Sequence, residues 1–338
     1  METLADFGTV SYFAVEVFTT GIFKAWLSLG DSVAAAQLSG CLLAFVVLVL
    51  ALERASRGRA AYATAGRRRT HPHPLRGAKA LLAATACALP VIFGFVLPAL
   101  LLAHLAWGER SAYLGSRMFA LVANSFSLAG LTALIAVLLA LVMAYAARLT
   151  RSRIVLGVNR VAGFGYALPG AVIAVGVLVP LGRLDNALAG WLESWTGKPM
   201  GLLLTGTVAA LVYAYLVRLL AVSLQTLEAG LAKITRSMED AARSLGAKPA
   251  GALLRVHVPL LAPSLATAAL LVFLDVLKEL PATFALRPFN FDTLAIEAYN
   301  LANDERLAEA AAPALVIVAV GLLPVLYVTR RYFQPTRS

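Results

Sequence analysis

The sequence predicts an all-α membrane protein that crosses the bilayer several times, because of its composition and the length of its apolar stretches. Hydrophobic residues make up 60% of the chain and charged residues only 14%, unlike a water-soluble globular protein. Apolar stretches of about 20 residues, enough to cross a bilayer as a helix, recur along the chain. Since backbone groups in lipid need hydrogen-bond partners within their own segment, we expect these stretches to be helices.

The apolar stretches number roughly seven and predict about seven to eight transmembrane helices. They lie at residues 34–52, 80–107, 118–147, 161–182, 200–217, 259–274 and 310–328. A lipid bilayer is therefore the expected surrounding of most of the chain.

Basic residues are concentrated in alternate connections between these stretches. Arginine and lysine are abundant at 54–79, 148–160 and 219–258 and in the tail from residue 330. They are scarce at 108–117, 183–198 and 282–309. Because cytoplasmic loops are enriched in Lys and Arg, the first set is predicted to be cytoplasmic and the second set to lie outside. We therefore interpret the net charge of +11 as a topology signal and not as a nucleic-acid binding surface.

The beginning of the sequence matches its end at an offset of 273 residues, the separation of Asp6 and Glu279. Other residues in register are Glu2 with Asp275, Phe18 with Phe291, Thr20 with Thr293, Trp26 with Tyr299 and Asp31 with Asp304. Similar composition alone would not place acids and aromatic residues in register, so we interpret the match as a duplication. The number of crossings between the copies gives them the same orientation, as in parallel repeats.

The repeat predicts four segments. Residues 1–52 are the tail of a first repeat, 53–79 a basic cytoplasmic linker, 80–331 a complete second repeat, and 332–338 a cytoplasmic tail. The first repeat then needs further helices, supplied by residues before Met1 or by a second chain, and the sequence leaves this choice open. His71 and His73 in the linker lack further ligands nearby, so no metal site is assigned.

The cytoplasmic connection at 237–259 begins with the pattern of a short helix. Ser237 followed by the acid Asp240 is close to a capping box and predicts a helix start. Gly246 suits the left-handed residue that follows a helix. Between them, one apolar face is formed by Met238, Ala241, Ala242 and Leu245.

A second short helix is predicted to begin at Pro249 and to end at Pro259, before the next membrane span. Its expected buried face contains Ala250, Leu253, Leu254 and His257. Helices this short are unstable alone in water, so the hairpin is expected to pack against a partner that moves or to lie on the bilayer surface.

The stretch DAARSLG at 240–246, followed by VHVP at 256–259, resembles the EAA motif of binding-protein-dependent ABC importer permeases. Asp240 replaces the usual Glu of that motif. The resemblance implies an ABC importer permease fold in which residues 80–331 are the complete transmembrane domain. It also implies that an ATP-hydrolysing subunit is contacted by Glu239, Asp240, Ala241, Ala242, Gly246, Val258 and Pro259.

The resemblance also implies how the work is divided between subunits. No glycine-rich phosphate loop followed by Lys and Ser or Thr occurs in the chain, so ATP is expected to be bound by the partner subunit. The chain is therefore predicted to be neither an enzyme nor the holder of a cofactor. Its expected partners are ATP-binding subunits, a substrate-binding protein and a second permease chain or repeat, in a bacterial inner membrane.

Four further stretches resemble ferric iron permeases: METLADFGTV at 1–10, KELPAT at 278–283, RPFNFDTLA at 287–295 and NDERLAEA at 303–310. This similarity covers essentially the whole chain and implies import of ferric iron delivered by a binding protein. Thiamine, sulfate and polyamine permeases share the same architecture, so they remain alternatives. A secondary transporter is a further alternative, but it would need no cytoplasmic docking hairpin.

Four carboxylates are candidates for the translocation pathway: Glu2, Asp6, Asp275 and Glu279. They occupy equivalent positions in the two copies, and ionisable residues near a membrane helix are functional candidates. Carboxylate oxygens also suit a hard cation such as ferric iron. The alternative, which the spacing favours, is that Lys278 neutralises Asp275 or Glu279 in a structural ion pair. Selectivity is then expected to lie in the separate binding protein.

Overall fold

A computed structural model of the chain describes residues 2–57, 75–109, 115–150, 152–199 and 201–332. His71 and His73 and most of the predicted linker lie outside these ranges. In chain order the α-helices are α1 (Glu2–Ala5), α2 (Gly8–Tyr12), α3 (Phe18–Phe23), α4 (Ser32–Arg57), α5 (Ala78–Val91), α6 (Leu97–Gly108), α7 (Ser116–Thr150), α8 (Arg153–Ala162), α9 (Gly170–Thr196), α10 (Val208–Leu231), α11 (Arg236–Ser244), α12 (Pro249–Ala252), α13 (Val258–Leu277), α14 (Pro281–Leu286), α15 (Leu294–Asn303) and α16 (Leu307–Tyr332).

The described residues contain six helices that are long and apolar enough to cross a membrane. They are α4, the continuous pair α5 and α6, α7, α9, α10, and the continuous pair α12 and α13. Helix α16 adds 26 residues, with a shorter apolar part at Leu307–Leu322. The predicted all-α polytopic fold is confirmed.

The span predicted at 161–182 is wrong in its boundaries. Helix α8 ends at Ala162, a 3₁₀ turn follows at Gly165–Ala167, and the membrane helix α9 runs from Gly170 to Thr196. Gly165 packs directly on α10, since a Cβ there would lie 2.0 Å from the carbonyl oxygen of Val217. This close backbone approach needs a glycine and interrupts the helix, which a count of apolar residues does not reveal.

The predicted break at Pro259 is also wrong. The helix that begins at Pro249 passes through a π-helical turn at Leu253–His257 and continues as α13 to Leu277. A wider turn just before a proline relieves the clash between its ring and the preceding carbonyl groups, so the chain stays helical. The same arrangement occurs at Ile92–Val96, ahead of Pro98.

The core is a bundle formed by α7, α9, α10, α13 and α14. Its main cluster includes Leu128, Ile173, Tyr215 and Val272, one from each of the first four helices. Farther along, α10 and α13 approach closely at Gly230, where a Cβ would lie 2.5 Å from Ser264 Oγ. A second cluster joins the N-terminal helices to α9, with Ile22, Phe23, Val46 and Val175 in contact.

The helices at the two ends of the chain follow the same order at the offset of the sequence repeat. Helices α2, α3 and α4 correspond to α14, α15 and α16 when 273 residues separate the positions compared. The two sets meet at an aromatic cluster in which the rings of Phe7 and Phe23 lie within about 6 Å of Phe284. Ser11 Oγ is 2.9 Å from the hydroxyl of Tyr299.

Candidate coupling and translocation sites

Helix α11 carries most of the residues predicted to contact an ATPase, and its face turned away from the bundle is exposed. Met238 and Leu245 are 48% and 89% exposed, respectively, although both are apolar. Asp240 and Ala241 are also exposed, while Ala242 is half-buried. The face predicted from the sequence as apolar is therefore unpacked within the described chain.

Gly246 ends α11 in the left-handed conformation, with φ of +83°. The amide of Ala247 donates to the carbonyl of Ala242 at 3.1 Å, and the amide of Leu245 to Ala241 at 3.2 Å. The bond of Ala247 closes the helix end as in a Schellman motif. The stop signal assigned to Gly246 in the sequence is confirmed by this geometry.

Glu239 points into the protein and holds α11 to the membrane bundle. Its Oε2 accepts from Arg148 Nε at 3.1 Å, and His257 Nε2 lies 4.0 Å away. Arg148 also donates to the carbonyls of Leu231 and Ile234, at 2.7 and 2.8 Å. One arginine at the end of α7 therefore ties together the end of α10, the connection after it and α11. Sequence reasoning treated Arg148 as a topology charge only.

The helix that follows α11 is fixed from the same side. Tyr145 of α7 donates its hydroxyl to the carbonyl of Pro249 at 3.0 Å, and its ring meets the buried ring of His257 edge on. Val258 packs on the cluster that contains Leu227, while Pro259 is exposed. His257 is on the predicted buried face, whereas Leu254, which was predicted on that face, is 65% exposed. The buried face of this helix runs through Ala252 and His257, and not through Ala250 and Leu254, which are both exposed.

The candidate pathway carboxylates have different partners. Glu279 forms an ion pair with Arg218, whose guanidinium also lies over the ring of Tyr166. Asp275 is paired with Lys278 at 3.1 Å, the neutralisation considered as the alternative in the sequence. Asp6 Oδ1 accepts from the amide of Thr9 at 3.3 Å. Glu2 lies in α1, and its side chain is outside the described part of the structure.

Asp6 and Glu279 line one cavity of about 490 Å³, together with Arg218 and Lys278. Asp275 is not among the residues that line it. Within the described ranges, no group of three or more His, Cys, Asp and Glu side chains is arranged to hold a metal ion. The cavity therefore brings together two acidic and two basic side chains.

Asp185 is a buried carboxylate that sequence reasoning missed. Its oxygens accept from the backbone amides of Leu203, Leu204 and Thr205, at 2.7 to 3.1 Å, and from the hydroxyl of Thr205. Four donors compensate a charge that would otherwise be costly to bury in α9. Asp185 thus fixes the connection before α10 to the predicted outer end of α9. The sequence gives no distinct signal for it, because Asp185 lies close to Arg183 and Asn186 in a stretch predicted to be an outer connection.

A second charged cavity, of about 440 Å³, lies near the residues predicted to face outward. Glu297 on its wall pairs with Arg117 at 2.8 Å. Arg306 donates to Glu309, and this hydrogen bond raises the pKa of the Arg306 guanidinium, so the side chain stays charged. The pair of Arg117 with Glu297 connects α7 to α15 at this end of the bundle, while the pair of Arg306 with Glu309 is local to the start of α16.

Similarity to known proteins agrees with this architecture. Residues 136–337 match the family of binding-protein-dependent transport system inner membrane components. The Fe(3+)-transport system permease protein FbpB 2 of Haemophilus influenzae is 28% identical over 99% of this chain and 64% of its own length. PhnV of Salmonella typhimurium, named for a 2-aminoethylphosphonate transport system, is 32% identical over 38% of this chain and 48% of its own length. The chain thus spans less than two thirds of the length of these relatives.

A similar fold occurs in the crystal structure of a bacterial ABC transporter involved in import of the acidic polysaccharide alginate. The TM-score is 0.59 at 16% identity, and the match covers 75% of this chain and 96% of the other. At this identity the likeness concerns the fold alone. The family match extends over well over half of the sequence and includes the helices that carry α11. The chain belongs to the binding-protein-dependent transport system inner membrane components, the permeases of ABC importers.

Proposed function

We propose that this chain forms the translocation pathway of an ATP-driven importer in a bacterial inner membrane. In this proposal a binding protein delivers the solute from outside, and ATP-binding subunits drive the transport from the cytoplasm. The chain itself neither hydrolyses ATP nor holds a cofactor. The observation that carries the proposal is helix α11, which is exposed on one face and anchored to the bundle on the other.

The residues of α11 suit a helix that docks into a moving partner. Met238 and Leu245 offer apolar contacts, and Asp240 and Ala241 are accessible beside them. The side chains of Glu239 and Arg148, which form an ion pair, are 11% and 14% exposed, respectively. A force applied to α11 would therefore pass to α7 through this pair. Because α11 also lies in sequence between α10 and α13, a displacement would be passed to both of these membrane helices.

Ferric iron is the proposed solute. The support is the similarity to FbpB 2, which extends over 99% of this chain, together with the carboxylates of Asp6 and Glu279 in one cavity. Oxygen ligands suit a hard cation. Thiamine, sulfate and polyamines are the alternative solutes of this architecture, and the paired state of Asp275 and Glu279 agrees with selectivity in the binding protein.

We further propose that residues 1–52 are the tail of one repeat and residues 80–331 a complete second repeat. Support comes from the shared order of α2 to α4 and α14 to α16. Residues 53–79 would then be a cytoplasmic linker, and 332–338 a cytoplasmic tail. A second ATPase contact, needed for an importer with two ATPase subunits, would come from another permease chain or repeat.

Uptake of labelled ferric iron by cells with and without the gene tests the solute, with labelled thiamine and 2-aminoethylphosphonate as controls. The proposal expects uptake of iron alone to depend on the gene. Gene-dependent uptake of a control solute instead would show that the iron assignment is wrong.

Coupling is tested in the same cells with Asp240→Lys and Gly246→Pro. Both variants are expected to abolish uptake while the protein still inserts into the membrane at its normal level. Normal uptake by both variants would contradict docking through α11.

A further inference from the structure

The cavity that contains Asp6 and Glu279 lies at the junction of the two copies of the repeat. Its lining includes residues 5–8 of the first copy and residues 278–281 of the second. These are the same four positions at the offset of 273 residues. Equivalent residues of the two copies thus meet in this cavity, as expected near an axis that relates the copies. In transporters built from parallel repeats this axis runs along the membrane normal, and solutes bind at the interface between repeats.

Arg218 lines this cavity but belongs to neither of the two equivalent segments. It lies near the middle of α10 (Val208–Leu231), about 15 to 20 Å from either end of that helix. A charged side chain at such depth is costly unless it is paired, and it marks a functional position by default. The copies thus meet around one arginine near the midplane of the bundle.

The pairing of Arg218 connects several elements across the cavity. Arg218 and Glu279 are 12% and 7% exposed, so their ion pair is largely shielded from water. Glu279 is also pressed against the start of α9, because a Cβ on Gly170 would lie 2.5 Å from its Oε1. Lys278 forms an ion pair with Asp275, while the guanidinium of Arg218 pairs directly with the Glu279 carboxylate.

In the sequence, the two residues of the ion pair lie on opposite sides of α11. Arg218 belongs to α10, which precedes α11, and Glu279 directly follows α13, which comes after it. A movement of α11 that separates α10 from α13 would therefore pull the pair apart. Helix α10 on one side and the helix from Pro249 to Leu277 on the other cover most of the distance from α11 to the pair, and α11 joins them through short connections at 232–235 and 245–248.

We propose that Arg218 is a gating residue, and that its ion pair with Glu279 closes the pathway at the junction of the copies. Separation of the pair frees the Glu279 carboxylate, which then faces the same cavity as Asp6. The open gate offers a passing hard cation one carboxylate from each copy. This inference rests on the proposed function, because it needs a pathway and a movement driven by ATP.

The test uses the complete importer, with its ATPase and binding protein, reconstituted in lipid vesicles that contain ferric citrate and 2-aminoethylphosphonate. Efflux of each solute is measured without ATP. Arg218→Gln and Glu279→Gln are expected to leak about tenfold faster than the wild type. The charge exchange R218E with E279R restores the pair and is expected to return efflux close to the wild-type rate. Arg218→Lys keeps the positive charge, so its efflux is expected to stay close to the wild-type rate.

The matched control is Arg117→Gln, which breaks the pair of Arg117 with Glu297, an interhelical ion pair that also has one buried acid. It lies outside the cavity at the copy junction and should not leak. The gate is overturned if the two Gln variants are as tight as the wild type. It is equally overturned if the charge exchange, or Arg218→Lys, assembles normally and leaks as fast as Arg218→Gln.

Failure of the gate can be told apart from failure of the proposed function. ATP-driven uptake of ferric iron by wild-type vesicles tests the function, and efflux from the variants tests the gate. If wild-type vesicles import no iron, the proposal that ferric iron is the solute is wrong. Leakage of either solute through the Gln variants would still support the gate. If the wild type imports iron and the Gln variants do not leak, the proposed function stands and the gate is wrong.

Discussion

Glu239 and Asp240 are neighbouring acids with opposite environments. Glu239 is 9% exposed and faces Arg148 and His257, whereas Asp240 is exposed on the open side of α11. The family resemblance implies an ATPase contact for both residues. Their environments indicate different roles: Glu239 fixes the orientation of the helix, and Asp240 is accessible to a partner.

Removing the charge of Glu239 should destabilise the protein, because Arg148 would keep its position near α11 without a carboxylate. We expect Glu239→Gln to lower the free energy of unfolding by about 3 kcal/mol, as when one member of a largely buried pair is lost. Thermal unfolding of the detergent-purified protein measures this change. Asp240→Asn is the matched control and should unfold at the wild-type temperature. Equal destabilisation by both variants would contradict the anchoring role of Glu239.

Gly246 is required for its backbone conformation and not for space. Its φ of +83° is unfavourable for other residues, yet nothing lies within 4 Å of a Cβ built there. Gly246→Ala should therefore cost about 1 kcal/mol in unfolding free energy and fray the end of α11. Gly251 has equally open surroundings but no positive φ, so Gly251→Ala is the control and should be neutral or stabilising. A neutral Gly246→Ala would mean that the turn is not needed.

The sequence predicted the end of α11 well, because a left-handed glycine is a local signal. It placed the start too late: α11 begins at Arg236, so Ser237, which was predicted to cap the helix, lies inside its first turn. It did not predict the partner of Glu239, since Arg148 is 91 residues away in the chain. The role of Asp185 was missed for the same reason, because its donors come from a connection about 20 residues later. Local chemistry is visible in one sequence, whereas the pairing of buried charges depends on how the helices pack.

At the scale of single elements, the sequence predicted the helix boundaries that depend on the length of an apolar stretch. It misplaced the boundaries that depend on backbone contacts or on a widened turn. Helix α9 starts at Gly170 because the preceding turn packs against α10 at Gly165. Helix α13 passes Pro259 because a π turn precedes that proline. Neither a close backbone approach nor a widened turn changes the hydropathy of the sequence, so neither could be seen in the apolar pattern.

The connection between α9 and α10 should depend on Asp185. An amide in its place has a donor group that would face the backbone amides of Leu203 to Thr205, and it lacks the charge that strengthens their bonds. We expect Asp185→Asn to make residues 201–207 cleaved several-fold faster by a protease added from outside. Glu193→Gln on the same helix is the control, because Glu193 is exposed. Unchanged cleavage in both variants would contradict the fixing role of Asp185.

At the scale of the whole molecule, the charge distribution and the exposed residues define two faces. The predicted cytoplasmic face carries α11, where Leu245 is 89% exposed. The predicted outer face carries the connection between α14 and α15, where Phe289 is 98% exposed. The membrane helices α13 and α10 run between these faces. The orientation rests on the positive-inside rule.

A labelling experiment tests this orientation. The native cysteines are first replaced, as Cys41→Ala and Cys87→Ala, and Leu245→Cys or Phe289→Cys is then introduced. A thiol reagent that cannot cross membranes should label Phe289→Cys in intact spheroplasts and Leu245→Cys only in inverted vesicles. The cysteine-free protein is the background control. Labelling of Leu245→Cys from outside would invert the topology, and α11 could then meet no cytoplasmic ATPase. The permease is expressed without its ATPase, so that no partner covers Leu245. Because both side chains are highly exposed in the chain itself, a missing signal on one side then reports the membrane barrier.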